Sequence, residues 1–178
     1  MGYFAKMRGT TISPPRVSWS EIFWSWIGAF LGIAAVAVIH YNILTGTDFV
    51  MVIGSFGASA VLIYGAIRSP LAQLRNLIGG HMVSAVIGVA SYKLLPGQMW
   101  LAASVAVATA IAVMRMIKAL HPRGGATALI TVIGSDKVHH LGFLYALIPA
   151  GLGAAMMLIV ALLVNNIPNS RRYPEFWW

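Results

Sequence analysis

From Leu141 to Val164 the chain runs for 24 residues without one charged or imidazole side chain. As a helix rising about 1.5 Å per residue, such a run is long enough to cross the ~30 Å hydrocarbon core of a bilayer. A soluble bundle of this size has no interior deep enough to hide it, so the chain is expected to be integral to a membrane. Composition agrees. Of the 178 residues 59% are hydrophobic and 9% charged, against about 25% charged in soluble domains. The length leaves room for one bundle and no separate extramembrane domain. Cysteine is absent, which excludes disulfides and thiol chemistry. The formal net charge of +8 would suit nucleic acid in a soluble protein. In a membrane protein it reads instead as Lys and Arg retained on the cytoplasmic side, and no nucleic-acid partner is expected.

Five other apolar segments precede this one. Residues 1–18 form a basic tail, read as cytoplasmic, and 19–166 form a single transmembrane domain. Trp19 to Tyr41 is the first span, with Trp19, Trp24 and Trp26 as interfacial anchors. Phe49 to Ile67 is apolar but interrupted by Gly54 and Gly57. It is expected as an extended approach followed by a half-helix from Gly57. Asn76 to Tyr92 carries Gly80, Ser84 and Gly88 four apart, a stripe that lets another helix come close. Met99 to Met114 is the fourth span. Gly125 to Gly134 covers only about 15 Å as a helix, half a bilayer. Residues 167–178 form a second cytoplasmic tail.

With the N-terminus inside and six crossings, the cytoplasmic side receives Lys6, Arg8, Arg16, Arg68, Arg75, Arg115, Lys118, Arg123, Arg171 and Arg172. The outer side receives Lys93 and Lys137. This asymmetry favours both termini inside, in a bacterial-type inner (plasma) membrane. It also counts each interrupted segment as a crossing.

The two interrupted segments echo each other. Gly57-Ala58-Ser59-Ala60 and Gly125-Ala126-Thr127-Ala128 match at a spacing of 68 residues. Each half of the chain, about 19–92 and 98–164, reads as span, broken segment, span. Three crossings per half invert the second half relative to the first. The expected fold is therefore an all-α membrane protein of six transmembrane segments, an inverted 3+3 repeat with segments 2 and 5 broken. Paired broken segments point to a transporter's binding site. A helix beginning inside the membrane leaves its first N–H groups without intrahelical partners, and these suit an anion.

The candidate binding residues follow: Ser55, Phe56, Gly57, Ala58 and Ser59 on one segment, and His121, Pro122, Arg123, Gly124, Gly125 and Thr127 on the other. Glycine admits a ligand to the backbone, and Ser59 and Thr127 add hydroxyl donors. His81, beside Gly79-Gly80, can reach the same cavity by position. Arg123 is either a fixed counter-charge for an anion or one more residue setting topology. The four carboxylates, Glu21, Asp48, Asp136 and Glu175, fall at segment ends or in loops, which argues against a carboxylate relay or cation site in the bilayer. No span carries histidines at metal-ligand spacing and no His-Glu-x-x-His occurs. Catalytic residues, metal and cofactors are not expected.

The run His121-Pro122-Arg123-Gly124-Gly125-Ala126-Thr127-Ala128 resembles the signature of the HPP family of small integral membrane proteins, named for a His-Pro-Pro motif followed by Gly-Ala-Thr/Ser-Ala. Two further stretches are similar to that family: Ser55-Phe56-Gly57-Ala58-Ser59-Ala60-Val61 and Ser69-Pro70-Leu71-Ala72-Gln73-Leu74-Arg75-Asn76. The resemblance covers about Phe49 to Leu163. Arg123 departs from it, standing where the second proline is expected, as does Leu74 where proline is frequent. The resemblance implies nitrite transport, in which members of the family are implicated in chloroplasts and cyanobacteria.

The chain is thus expected to be a transporter or channel for a small monovalent anion, nitrite first, bound where two half-helix N-termini meet near the bilayer midplane. It is expected to work as a homo-oligomer within the lipid bilayer. The alternative is a non-transporting membrane scaffold or assembly protein that uses the small-residue faces of the third and sixth spans as partner surfaces.

Overall fold

The computed structural model describes residues 13, 15–44, 47, 49 and 51–177, and all secondary structure among them is helical. Helix α1 is Trp19–Asn42, α2 Gly54–Gly65, α3 Arg75–Leu94, α4 Met99–Met116, α5 Pro122–Ile133 and α6 Asp136–Val164. Four of these, α1, α3, α4 and α6, are long and apolar enough to cross a membrane, and α2 is a shorter apolar helix.

The starts of the helices follow local chemistry. Ser18 caps α1, its hydroxyl accepting from the Glu21 N–H at 3.2 Å, which satisfies one orphan donor of the first turn. Pro122 occupies the first turn of α5, where its missing N–H costs nothing and its fixed φ is already helical. That lengthens α5 at its start relative to the expected Gly125–Gly134. Helix α2 likewise starts at Gly54 rather than Gly57, because the extended conformation ends at Ile53 (φ −122°, ψ 144°). The polar stretch after Gly134 is helical too. It forms the first turns of α6, which then breaks at Ile148 (φ −133°, ψ 114°), the residue before Pro149, where the α conformation is sterically disfavoured.

Packing follows the small residues. Helix α3 packs chiefly on α5 and α4, and α1 on α6 and α2. The α3 stripe faces α5: a Cβ at Gly80 would collide with that of His121, and one at Gly88 with Thr131 and the Ala128 backbone. Without side chains there, the two backbones approach closely enough for van der Waals contact along several turns, the main attraction between helices in lipid. The stripe is occupied within the chain. Gly153 of α6 similarly receives the Phe56 ring. On α1, Gly28 and Gly32 make room for Tyr64, whose hydroxyl donates to the Met157 carbonyl at 2.9 Å. The opposite side of α1 exposes Trp19, Trp26 and Phe30, as a lipid-facing helix does.

Residues 165–177 do not trail away from the bundle as a tail. They form a strap across the ends of α1 and α2 and the loop between α2 and α3. Arg171, its side chain 1% exposed, pairs with Glu21 at 2.9 Å. It also donates to the carbonyl of Glu21 at 2.7 Å, the Ser25 hydroxyl at 2.8 Å and the carbonyl of Tyr64 at 3.3 Å. Further along, the Tyr173 hydroxyl donates to the Ala72 carbonyl at 2.7 Å, and the Glu175 N–H to the Gln73 amide oxygen at 2.9 Å.

Candidate functional site

Helices α2 and α5 lie side by side and antiparallel. Ser55 near the start of α2 meets Thr127 at 3.0 Å, and Ser59, one turn on, meets His121 at the start of α5 at 2.9 Å. Helix α3 closes the third side with His81. Neither α2 nor α5 has a side-chain cap at its start; the Phe56 and Gly124 N–H groups instead turn back to the Ile53 and His121 carbonyls, each at 2.9 Å.

Between the three helices runs one chain of polar contacts. Thr127 Oγ1 is 2.7 Å from His81 Nδ1. His81 Nε2 is 2.8 Å from Ser59 Oγ, which in turn is 2.9 Å from His121 Nε2. His121 Nδ1 lies 2.9 Å from the Leu71 carbonyl oxygen. Ser59, His81, His121 and Thr127 are 0% exposed and Ser55 is 1% exposed. Polar groups at such depth need partners, and here each has at least one.

The direction of these bonds is determined from one end. A carbonyl only accepts, so His121 Nδ1 carries a proton. If the ring is neutral, its Nε2 is bare and accepts from the Ser59 hydroxyl. Ser59 has then used its one proton, so His81 Nε2 must donate to it. His81 Nδ1 is left to accept from Thr127, and Thr127 to accept from Ser55. One backbone carbonyl on a loop thereby sets the tautomers of two rings on two helices.

Around this chain, the Phe56 ring stands edge-on to His81, centroids 5.3 Å apart. Gly124 lies against Ser84 and Met114, where a Cβ would come within 2.5 Å of Ser84 Oγ. Asn76 donates to the Leu120 carbonyl at 2.7 Å, holding the turn into α5. His121 also borders a largely apolar cleft of about 540 Å³ between α4 and α5, with Arg115 among its lining.

Of the residues singled out in the sequence, Ser55, Ser59, His81, His121 and Thr127 come together, with Phe56 and Gly124 packed around them. Gly57 and Pro122 are exposed, on faces turned away from the network. Ala58 and Gly125 are half-buried, and Gly125 looks towards Val107 of α4. Arg123 is half-buried. Its Nε is buried without a hydrogen-bond partner, while its carbonyl accepts from Thr127 at 3.2 Å. Sequence reasoning missed Leu71, which acts through its carbonyl and so leaves no side-chain signal. It also missed Asn76, although both lie in the Ser69–Asn76 stretch quoted above. Three stretches separated along the chain, 55–61, 69–76 and 121–128, thus meet at one place.

Residues 14–174 match the family model described as HPP, transmembrane region. The chain belongs to the HPP family. It is 45% identical over 179 residues to one transmembrane protein of Dictyostelium discoideum and 43% identical over 181 residues to another. In both cases 99% of this chain is aligned, and it spans 57% and 63% of the length of the two relatives. No solved structure matches the chain. Family membership and the four long apolar helices make it an integral membrane protein.

Proposed function

We propose that this HPP protein moves a small monovalent anion, nitrite being the first candidate, across the membrane in which its helices lie. The observation that carries the proposal is the pair of short, uncapped helices α2 and α5, buried side by side among longer spans, with three hydroxyls and two imidazoles between them. In the closed arrangement these side chains satisfy one another. An entering anion would take over the Ser59 and Thr127 hydroxyl protons and the remaining backbone donors at a helix start, the donor set that suits negative charge. The half-buried Arg123 supplies fixed charge near the start of α5, where a cation in the bilayer is costly unless used.

The 68-residue spacing supports an inverted repeat. It superposes the cap of α2, Ile53, on the cap of α5, His121. The contact of Ser55 with Thr127 then becomes, under the exchange, a juxtaposition of Arg123 with Ser59. Six crossings, with α2 and α5 as the two short ones, keep both termini on the basic, cytoplasmic face of a plasma membrane. The scaffold alternative loses its main support, because the small residues of α3 are already filled by α5 and Gly153 of α6 by Phe56.

The test is nitrite flux into proteoliposomes. The purified protein should exceed empty vesicles, and Ser59→Ala and Arg123→Gln should each reduce that flux. Flux at the empty-vesicle level from folded protein overturns the proposal for nitrite. If Arg123→Gln leaves the concentration dependence unchanged, Arg123 sets topology only.

A further inference from the structure

The polar chain between Ser55 and Leu71 can be satisfied in two ways, and they differ by one proton. In the first, described above, both rings are neutral and every bond points from Ser55 towards Leu71. Reversing the middle of the chain makes His81 Nδ1 the donor to Thr127 and His81 Nε2 the acceptor from Ser59. Ser59 then accepts from His121 Nε2. Because the Leu71 carbonyl still demands a proton on Nδ1 at 2.9 Å, His121 must now carry protons on both nitrogens. Thr127 has an acceptor waiting in the reversed state, the Arg123 carbonyl at 3.2 Å. No donor or acceptor is orphaned in either state.

We propose that this chain is a proton path, in which His121 takes up one proton relayed through the His81 ring, and that the proton travels with the anion. The second half of that statement rests on the anion reading above. The relay balances atom by atom. A water-borne proton bonds to Ser55 Oγ as the Ser55 hydroxyl proton passes to Thr127 Oγ1 and the Thr127 hydroxyl proton passes to His81 Nδ1. His81 releases its Nε2 proton to Ser59 Oγ as the Ser59 proton passes to His121 Nε2. The net result is one proton gained, held on the His121 imidazolium, with His81 neutral in its other tautomer. All four heavy-atom separations along this route lie between 2.7 and 3.0 Å, within hydrogen-bond reach.

The charged surroundings say what must accompany that proton. Helix α5 brings Arg123 beside His121, α3 brings the His81 ring, its centroid 5.1 Å away, and the end of α4 brings the exposed Arg115, which lines the same cleft as His121. Helix α2 and residues 69–74 bring no charged side chain. No described carboxylate hydrogen-bonds to the chain, and Glu21 is held by Arg171. Among the described residues the charge acting on an imidazolium here is that of Arg123, and like charges in a low-dielectric site repel strongly. A bound anion removes that penalty. Proton and anion each raise the other's affinity, as linkage requires. One proton moving with one monovalent anion carries no net charge.

The rings can be watched directly. In protein reconstituted with ¹⁵N-labelled histidine, and assigned with His81→Gln and His121→Gln, nitrogen NMR distinguishes the tautomers. Acidification in the presence of nitrite should turn His121 from Nδ1–H to the doubly protonated ring and switch His81 from Nε2–H to Nδ1–H in the same step. Rings that keep their tautomers across the titration, or a His81 that becomes charged itself, overturn the proton path whatever the flux shows. In proteoliposomes carrying an internal pH dye, nitrite uptake should bring proton uptake with it and should be insensitive to a potential set by potassium and valinomycin. His81→Gln, whose amide cannot exchange its donor and acceptor, should lose the proton signal to the level of empty vesicles. Nitrite flux without proton movement overturns co-transport and leaves the anion proposal standing. Ring switching without nitrite flux sinks the anion proposal and leaves the proton path.

Discussion

Gly57 and Gly88 carry the same absence of a side chain for opposite reasons. Around Gly57 a Cβ would meet nothing within 4 Å, whereas at Gly88 it would lie 2.5 Å from the Ala128 carbonyl oxygen and 2.9 Å from its Cα. Backbone cannot step aside as a flexible side chain can, so Gly88→Ala is expected to destabilise by about 1–3 kcal/mol, the usual cost of overpacking. Gly57→Ala should stabilise by up to ~1 kcal/mol through helix propensity alone. Thermal unfolding in detergent separates the two, and equal melting shifts would show that α3 and α5 are not in close contact. If Gly57→Ala is stable yet transports poorly, the empty space beside it serves a ligand. At this scale the sequence was informative where the chemistry lies in side chains. Ser59, His81, His121 and Thr127 were identified by type and spacing. The Leu71 carbonyl was not, because any residue offers one, and only the loop's conformation aims it at His121.

Among the elements, the short helices and the strap contrast in legibility. Helix α5 declares its shortness through the proline at its start and the glycine after it, and α2 through its internal glycines. Both began a turn earlier than expected, since capping is decided by backbone angles at a single residue. By sequence the strap is a basic tail, because Arg171 counts equally well as a topology charge. What distinguishes it is a set of backbone carbonyls gathered from α1 and α2, which no periodicity announces. Glu21→Gln tests its weight. Arg171 stays buried with its charge unpaired, and breaking such a pair costs roughly 3–5 kcal/mol. Glu21 is 33% exposed, so the lower end, ~3 kcal/mol, is expected in chemical or thermal unfolding. A loss under ~1 kcal/mol would mean that the carbonyls alone hold the guanidinium.

At the level of the whole molecule, the apolar runs specified a membrane bundle and the four long helices appeared where they were sought. The charge asymmetry makes a further claim about sidedness that the absence of native cysteine makes easy to check. In intact cells or sealed vesicles, Lys93→Cys and Lys137→Cys should react with an impermeant maleimide from one side, and Arg68→Cys and Arg172→Cys only from the other. Arg172→Cys reacting on the same side as Lys93→Cys would mean that one of the short helices does not take the chain across. Assembly into oligomers left no comparable mark, because exposed apolar side chains on α1 and α4 serve lipid as well as they serve another copy.

Residues 71, 72 and 73 also work as a mechanical joint. The first fixes the His121 ring through its carbonyl, and the next two are gripped from the opposite side by Tyr173 and the Glu175 backbone. Two backbone carbonyls and one side-chain amide thus tie a fully buried imidazole to the C-terminal strap. A force or a docking event that peels the strap away slackens the one carbonyl that orients the rings. The C-terminal segment is therefore a lever on the site, with its short arm a single residue long.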